Sequence, residues 1–272
     1  MHRVFTLALL LLLCGACIQQ TTPTDDYSAS FIHYQPPIDL IDFQAFKKAN
    51  HFGESQNIEV QFDPFFKSKK SYEAYSFTKL LDDYLSNHPI DTLSTMVVFE
   101  CTDGYQPSVS LVDLLKAESF LAFHDLSVPA AQLWPAGLEE KLGPFYLVWP
   151  TAGKQFKNYP WPYALVSMRF ENQRDLFAEA YPKVTTAVKG FQLYQQKCMK
   201  CHSVNKVGGT MGIEFNHPKN ITDYWKEDHI WEFVQNPQSF RYNSKMPPVA
   251  DLSKEQFDEI ITYLKSMKEQ QI

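Results

Sequence analysis

The sequence predicts an α+β protein in which a mixed domain precedes a helical one. Three observations carry this expectation. At 272 residues, with 44% hydrophobic and 15% aromatic content, the chain is long enough for two packed cores. Residues 31–182 alternate short strand-like runs with few helices and show no internal repeat. Residues 184–272 instead carry a helical period, clearest from Ser253 to Lys268, where Ile260, Ile261, Tyr263 and Leu264 share a face and Ser253 with Gln256 forms a capping box.

In chain order, residues 1–17 read as a secretory signal peptide: a short polar start with Arg3, an apolar run from Val4 to Leu13, then Cys14-Gly15-Ala16-Cys17 with small residues before the cut. The apolar run is about ten residues, against the roughly twenty that span a bilayer, so a retained membrane helix is the weaker reading. The cut resembles a bacterial lipobox ending at Cys17, although Cys14 stands where that pattern usually has leucine. The resemblance implies a periplasmic lipoprotein held to a membrane by acyl chains on Cys17; the same cut without lipid is the alternative. Residues 18–30, rich in Gln, Thr, Asp and Ser, read as a polar tether.

Within residues 31–182, strands are expected at Asn57 to Phe62, Thr95 to Cys101, Phe145 to Trp149 and Ala164 to Phe170, and an amphipathic helix from Tyr72 to Leu85. Gly143-Pro144 and Trp161-Pro162 punctuate their ends. Of five cysteines, Cys101 follows Met96-Val97-Val98-Phe99 and reads as a small buried hydrophobe in a strand packed on both faces.

In residues 184–272 the run Cys198-Met199-Lys200-Cys201-His202 has the Cys-x-x-Cys-His spacing of covalent haem attachment. Two thiols three residues apart lie on one face of a helical turn and reach the two vinyl groups of one porphyrin edge, while the next residue's imidazole reaches the iron. A thioredoxin-like redox pair or half of a zinc site competes poorly, because the other Cys-x-x-Cys, Cys14 to Cys17, falls at the signal-peptide cut and no strand precedes the motif in the thioredoxin-like arrangement.

From about Val184 to Lys268 the chain resembles the small single-haem (class I) cytochrome c family. That resemblance implies an all-α domain with one haem c, in which a helix bearing Gly190 and Tyr194 crosses a C-terminal helix and Tyr263 packs against the glycine. It implies further that Met246, in Ser244-Lys245-Met246-Pro247-Pro248, is the second axial ligand beside His202; Met211, Met267, His217 and His229 are the poorer candidates. One departure stands out: Gly212-Ile213-Glu214-Phe215 replaces the family's Gly-Pro-Asp-Leu, so the carbonyl that steadies the proximal histidine comes without its rigid proline.

Several phrases of the N-terminal domain resemble the molybdopterin-binding domain of the sulfite oxidase family: Phe77 to Leu81, Cys101-Thr102-Asp103-Gly104-Tyr105 with Ser108 to Leu115, Phe120 to Phe123, and Gly143 to Pro150. The resemblance implies a related, truncated fold, yet that family's metal-ligating cysteine has no counterpart, since no cysteine lies between Cys17 and Cys101. Bound molybdopterin is therefore not expected.

Charge excludes other classes. The net charge of −6, from 25 basic and 31 acidic residues, offers no basic excess for nucleic acid. Phosphate-binding glycine loops, nucleophile elbows and His-Glu-x-x-His are absent. The mature part before Val184 holds 21 acidic against 13 basic residues, which suits docking of a basic partner. Together these readings predict an exported c-type cytochrome that transfers electrons between partner redox proteins. The alternative is a haem-containing oxidoreductase, or a subunit of one, with a molybdopterin-type or other substrate site in the N-terminal domain.

Overall fold

The structure, a computed structural model, describes residues 40–151 and 159–272. The signal peptide, Cys17 and the polar tether lie outside the described residues.

Among the described residues the N-terminal domain runs β1 (Ile41–Asp42), α1 (Phe43–Lys48), β2 (Gln56–Asp63), β3 (Ser68–Ser76), α2 (Phe77–Asn87), β4 (Thr95–Cys101), β5 (Ser108–Ser110), α3 (Leu111–Leu114), β6 (Phe120–Asp125), α4 (Glu139–Leu142), β7 (Tyr146–Val148), β8 (Leu165–Asn172) and α5 (Gln173–Phe177). The strands form two antiparallel sheets, ordered β1-β8-β4-β5 and β2-β3-β6-β7. Side chains alternate across each strand, and the two sheets share one core. Val97, Phe99 and Cys101 of β4 meet Leu121 and Phe123 of β6 and Leu147 of β7, with Phe77, Leu80 and Leu81 of α2 packed into the same cluster. The opposite residues of β6 and β7, Phe120, Ala122, Tyr146 and Val148, pack instead with Tyr72, Trp134 and Leu142 on the far side of their sheet.

The expected strands are present within a residue or two of their predicted ends. The expected helix from Tyr72 to Leu85 is corrected: Tyr72 to Ser76 belong to β3, and α2 begins at Phe77. Tyr72 and Ala74 alternate inward with period 2 while β3 pairs on both sides, with β2 and β6, so the strand continues until Ser76 caps the helix by accepting from the Lys79 amide at 3.1 Å.

The C-terminal domain comprises α6 (Val188–Lys197), the short hairpin β9 (Ser203–Val204) and β10 (Val207–Gly208), then α7 (Ile221–Tyr224), α8 (Glu227–Gln235), α9 (Pro237–Phe240) and α10 (Lys254–Ser266). Apart from that hairpin it is helical, as expected. The predicted capping box at Ser253 and Gln256 is formed. Helices α6 and α10 cross at Gly190, where a Cβ would lie 2.0 Å from the Glu259 carbonyl oxygen and 2.8 Å from the Tyr263 Cβ. Because the closest atom is backbone, Gly190→Ala is expected to cost about 3 kcal/mol or more. Urea unfolding of the two proteins, compared at equal m-value, measures it.

The two domains share packing. Met96 of β4 belongs to the C-terminal core, together with Phe177 and Ala180 of the connecting segment. Tyr263 donates its hydroxyl to the Ala180 carbonyl at 2.8 Å, and the Asn205 amide donates to the Glu179 carbonyl at 2.9 Å. Strand β4 is therefore covered on both faces, as the run before Cys101 predicts, and the C-terminal domain supplies the second cover. A cavity of about 30 Å³, lined by Val98, Arg169, Phe177, Met199 and Val207 among others, lies along this seam.

Candidate functional site

Helix α6 ends in the Cys-x-x-Cys-His turn. The Cys198 amide donates to the Tyr194 carbonyl at 2.8 Å, and the amides of Cys201 and His202 both donate to the Cys198 carbonyl, at 3.0 and 2.9 Å. This winding places both thiols on one turn; they are free, not paired in a disulfide. Burial holds the Cys198 thiol up at about 12 and also raises Cys201, where the Lys200 ammonium opposes the shift and the Asp103 carboxylate adds to it. Among the described residues, no group of three or more His, Cys, Asp or Glu side chains converges to hold a metal ion by itself, so the geometry is not that of a zinc cluster.

The His202 ring is fixed on three sides. Its Nδ1 lies 2.9 Å from the Ile213 carbonyl, which assigns the proton to Nδ1 and leaves the Nε2 lone pair free for a metal. The contact left in doubt by the missing proline is thus made by Ile213. Burial lowers the His202 pKa, with the Ile213 bond opposing, which favours the neutral imidazole a metal requires. Phe215 stacks on the ring with centroids 4.3 Å apart. Gly212 passes beneath, where a Cβ would stand 2.3 to 2.7 Å from three ring atoms. Gly212→Ala therefore forces the ring aside, and the expected result is loss of the His202–Ile213 bond, seen as a shifted imidazole signal. Spectra of the purified variant check this.

Helix α8 and Cys198 border the same core cluster, each only partly buried against it. Helix α8 has an apolar side, yet none of its residues is fully buried. Ile230, Trp231 and Val234 reach the C-terminal core only in part, and the Gln235 side-chain nitrogen is buried without a partner. The loop carrying Met246 is tied to this side: Val249 donates to the Val234 carbonyl at 2.9 Å, and the Gln238 amide donates to the Met246 carbonyl at 2.8 Å. Met246 is half-buried. Of the poorer candidates, Met267 is fully buried with its sulfur engaged by Gln270, whereas His217 and His229 are exposed. These residues fit a haem.

Sequence reasoning missed a buried amide ladder behind the site. Asn216 donates to Asn205 at 2.8 Å and to the Met267 carbonyl at 2.8 Å, while Asn220 donates to Asn216 at 2.8 Å and to the Leu264 carbonyl at 2.6 Å. The ladder satisfies carbonyls at the end of α10 and ties the loop after His202 to them. Glu214 completes it, accepting from the amides of Asn205, Lys206 and Asn216 at 2.8 to 3.0 Å. Asn216→Leu strands the Asn205 side-chain oxygen and the Met267 carbonyl and removes an acceptor from Asn220, so a loss of about 2 to 4 kcal/mol is expected in the same unfolding assay. Three asparagines across sixteen or so loop residues carry no helix or strand period, which is why pattern reading passes over them.

A comparison with known families falls on this domain. Residues 185–264 match the family described as Cytochrome C oxidase, cbb3-type, subunit III. A protein named "Cytochrome c" from Theileria annulata is 30% identical over 96 residues, covering 28% of this chain and 82% of that protein. A protein named "Cytochrome c oxidase subunit 2" from Alkalihalophilus pseudofirmus is 29% identical over 93 residues, 32% of this chain. The match spans 27% of that relative's length. Through its C-terminal domain the chain belongs to the cytochrome c family. Membership implies covalently bound haem c and haem-based electron transfer.

Proposed function

We propose that the chain is an exported electron carrier with one haem c, attached through Cys198 and Cys201 and ligated by His202 and Met246. The observation that carries this is the His202 geometry: an imidazole directly after two co-facial thiols, its Nδ1 engaged by Ile213 and its Nε2 free. Haem supplies a one-electron iron couple. The chain's residues hold it, orient the ring of His202, and keep water from the Cys198 side through Tyr194 and Met199, which are buried. Held by the Met246 thioether together with the His202 imidazole, a haem would favour the reduced state, which suits transfer rather than oxygen chemistry.

Redox proteins are the partners, as the relatives' names, a cytochrome c and an oxidase subunit, support. The anionic N-terminal domain serves as a docking element, and the resemblance of its phrases supports a sulfite-oxidase-like fold without molybdopterin. A lipid on Cys17 holds the protein at the periplasmic face of a membrane. Among the described residues, no helix is long and apolar enough to cross one.

Elemental analysis tests this on protein matured in a periplasm that attaches haem and supplies molybdenum cofactor. One iron per chain without molybdenum is expected. Stoichiometric molybdenum overturns the carrier reading for an oxidoreductase.

A further inference from the structure

The Cys-x-x-Cys-His turn does not face solvent alone; a turn of the other domain is bound to it. After β4, the chain reverses through Asp103, Gly104, Tyr105 and Gln106. The Gln106 amide donates to the Lys200 carbonyl, inside the attachment motif, at 2.9 Å. On the other flank, the amides of Thr210 and Met211 donate to the Gly104 carbonyl at 2.9 and 3.3 Å. The next residue, Gly212, is the one beneath the His202 ring, and its amide donates to the Cys201 carbonyl at 2.7 Å. Three backbone bonds thus join the N-terminal domain to both strands of the loop that carries the thiols.

Gly104 is required for this approach. Its φ is +84°, a region costly for other residues, and a Cβ there would stand 2.6 Å from Thr210 Oγ1 and 2.9 Å from the Met211 nitrogen. Asp103 shapes the turn by accepting from the Tyr105 amide at 3.0 Å. The Gln106 bond to Lys200 sets this turn, with Asp103 and Tyr105 on it, against the residue that precedes Cys201. Below them Met199 and Phe177 are both buried and line the small cavity of the seam.

We infer that the Asp103–Gln106 turn is a positioning element of the haem site: it clamps the attachment loop on both flanks, covers its Cys201 edge and so sets the reduction potential. The inference rests on the haem reading above. Its physics is electrostatic. Oxidised iron carries one more positive charge than reduced iron, so water reaching the edge favours oxidation and a cover that excludes it raises the potential. The Asp103 carboxylate acts oppositely, stabilising the oxidised state.

The two contributions have different signs, which gives the test. In the full chain, matured with haem, Gly104→Val should lift the turn: the potential falls, and amide exchange at Gln106, Thr210 and Met211 quickens about tenfold or more, while haem content stays at one per chain. Asp103→Asn keeps the oxygen that accepts from Tyr105 but removes the charge, so the potential rises and exchange does not change. A merely structural role moves neither potential in opposite directions. Potentials equal to the parent's in both variants, at full haem content, overturn the inference. Should Gly104→Val not fold, Asp103→Asn and Tyr105→Ala, which strips cover from the Cys201 edge and lowers the potential, decide it alone. Haem content of the parent, measured on the same samples, separates failure of the haem reading from failure of the clamp.

Discussion

Replacing Cys198 and Cys201 together by serine is expected to abolish covalent haem: acidified organic solvent then strips all pigment from the chain, where the parent retains one haem per chain. The size of the effect follows from the chemistry, since serine cannot form a stable thioether and Cys101, the remaining described cysteine, is buried in the N-terminal core. Cys201→Ser alone should leave a single thioether through Cys198, with the haem still retained in acid but its absorption shifted. Stability falls as well. The half-buried Ile230, Trp231 and Val234 of α8 lose the group that completes their packing, and a ligand that binds only the folded state no longer contributes. Absorption spectra before and after extraction, with thermal unfolding of both forms, check the prediction.

Met246→Ala is expected to have the second largest effect. Loss of the thioether opens an iron coordination position, so the reduced protein binds carbon monoxide that the parent refuses. The potential drops by something on the order of a tenth or more of the roughly 0.8 V range that axial ligands command. The fold should survive, because Met246 sits in a loop held by the side-chain amide of Gln238 and the backbone amide of Val249 rather than in the core. Met211→Ala is the matched control and keeps a six-coordinate spectrum. Carbon monoxide binding by the parent itself would point to a labile Met246 and a sensor instead of a carrier.

How much of this was legible in the sequence depends on the range of the interaction. The thiol and imidazole spacing and the Ser253–Gln256 capping box were readable because each rests on local geometry, and the Gly190–Tyr263 crossing because the resemblance to the cytochrome c family implied it. The strand over Thr95 to Cys101 was readable to the residue, since an apolar run covered on both faces has few other solutions. The β3–α2 boundary was misread: Tyr72, Tyr75, Leu80 and Leu81 satisfy a helical period by accident, and only pairing with β2 and β6 decides for strand. What covers the outer face of β4 could not be read. That answer lies in Met96, Phe177 and Met199, which are separated in sequence and share a core only once both domains are folded. The Asn205–Asn216–Asn220 ladder and the Gly104 contact with Thr210 were hidden for the same reason.

The central claim is a single haem bound through two thioethers, and intact mass spectrometry of the matured chain under denaturing conditions tests it most directly. The account predicts one species heavier than the processed polypeptide by one haem, with the added mass mapping to the peptide containing Cys198 to His202 after digestion. A chain at the bare polypeptide mass, or with its haem on any other peptide, would contradict it.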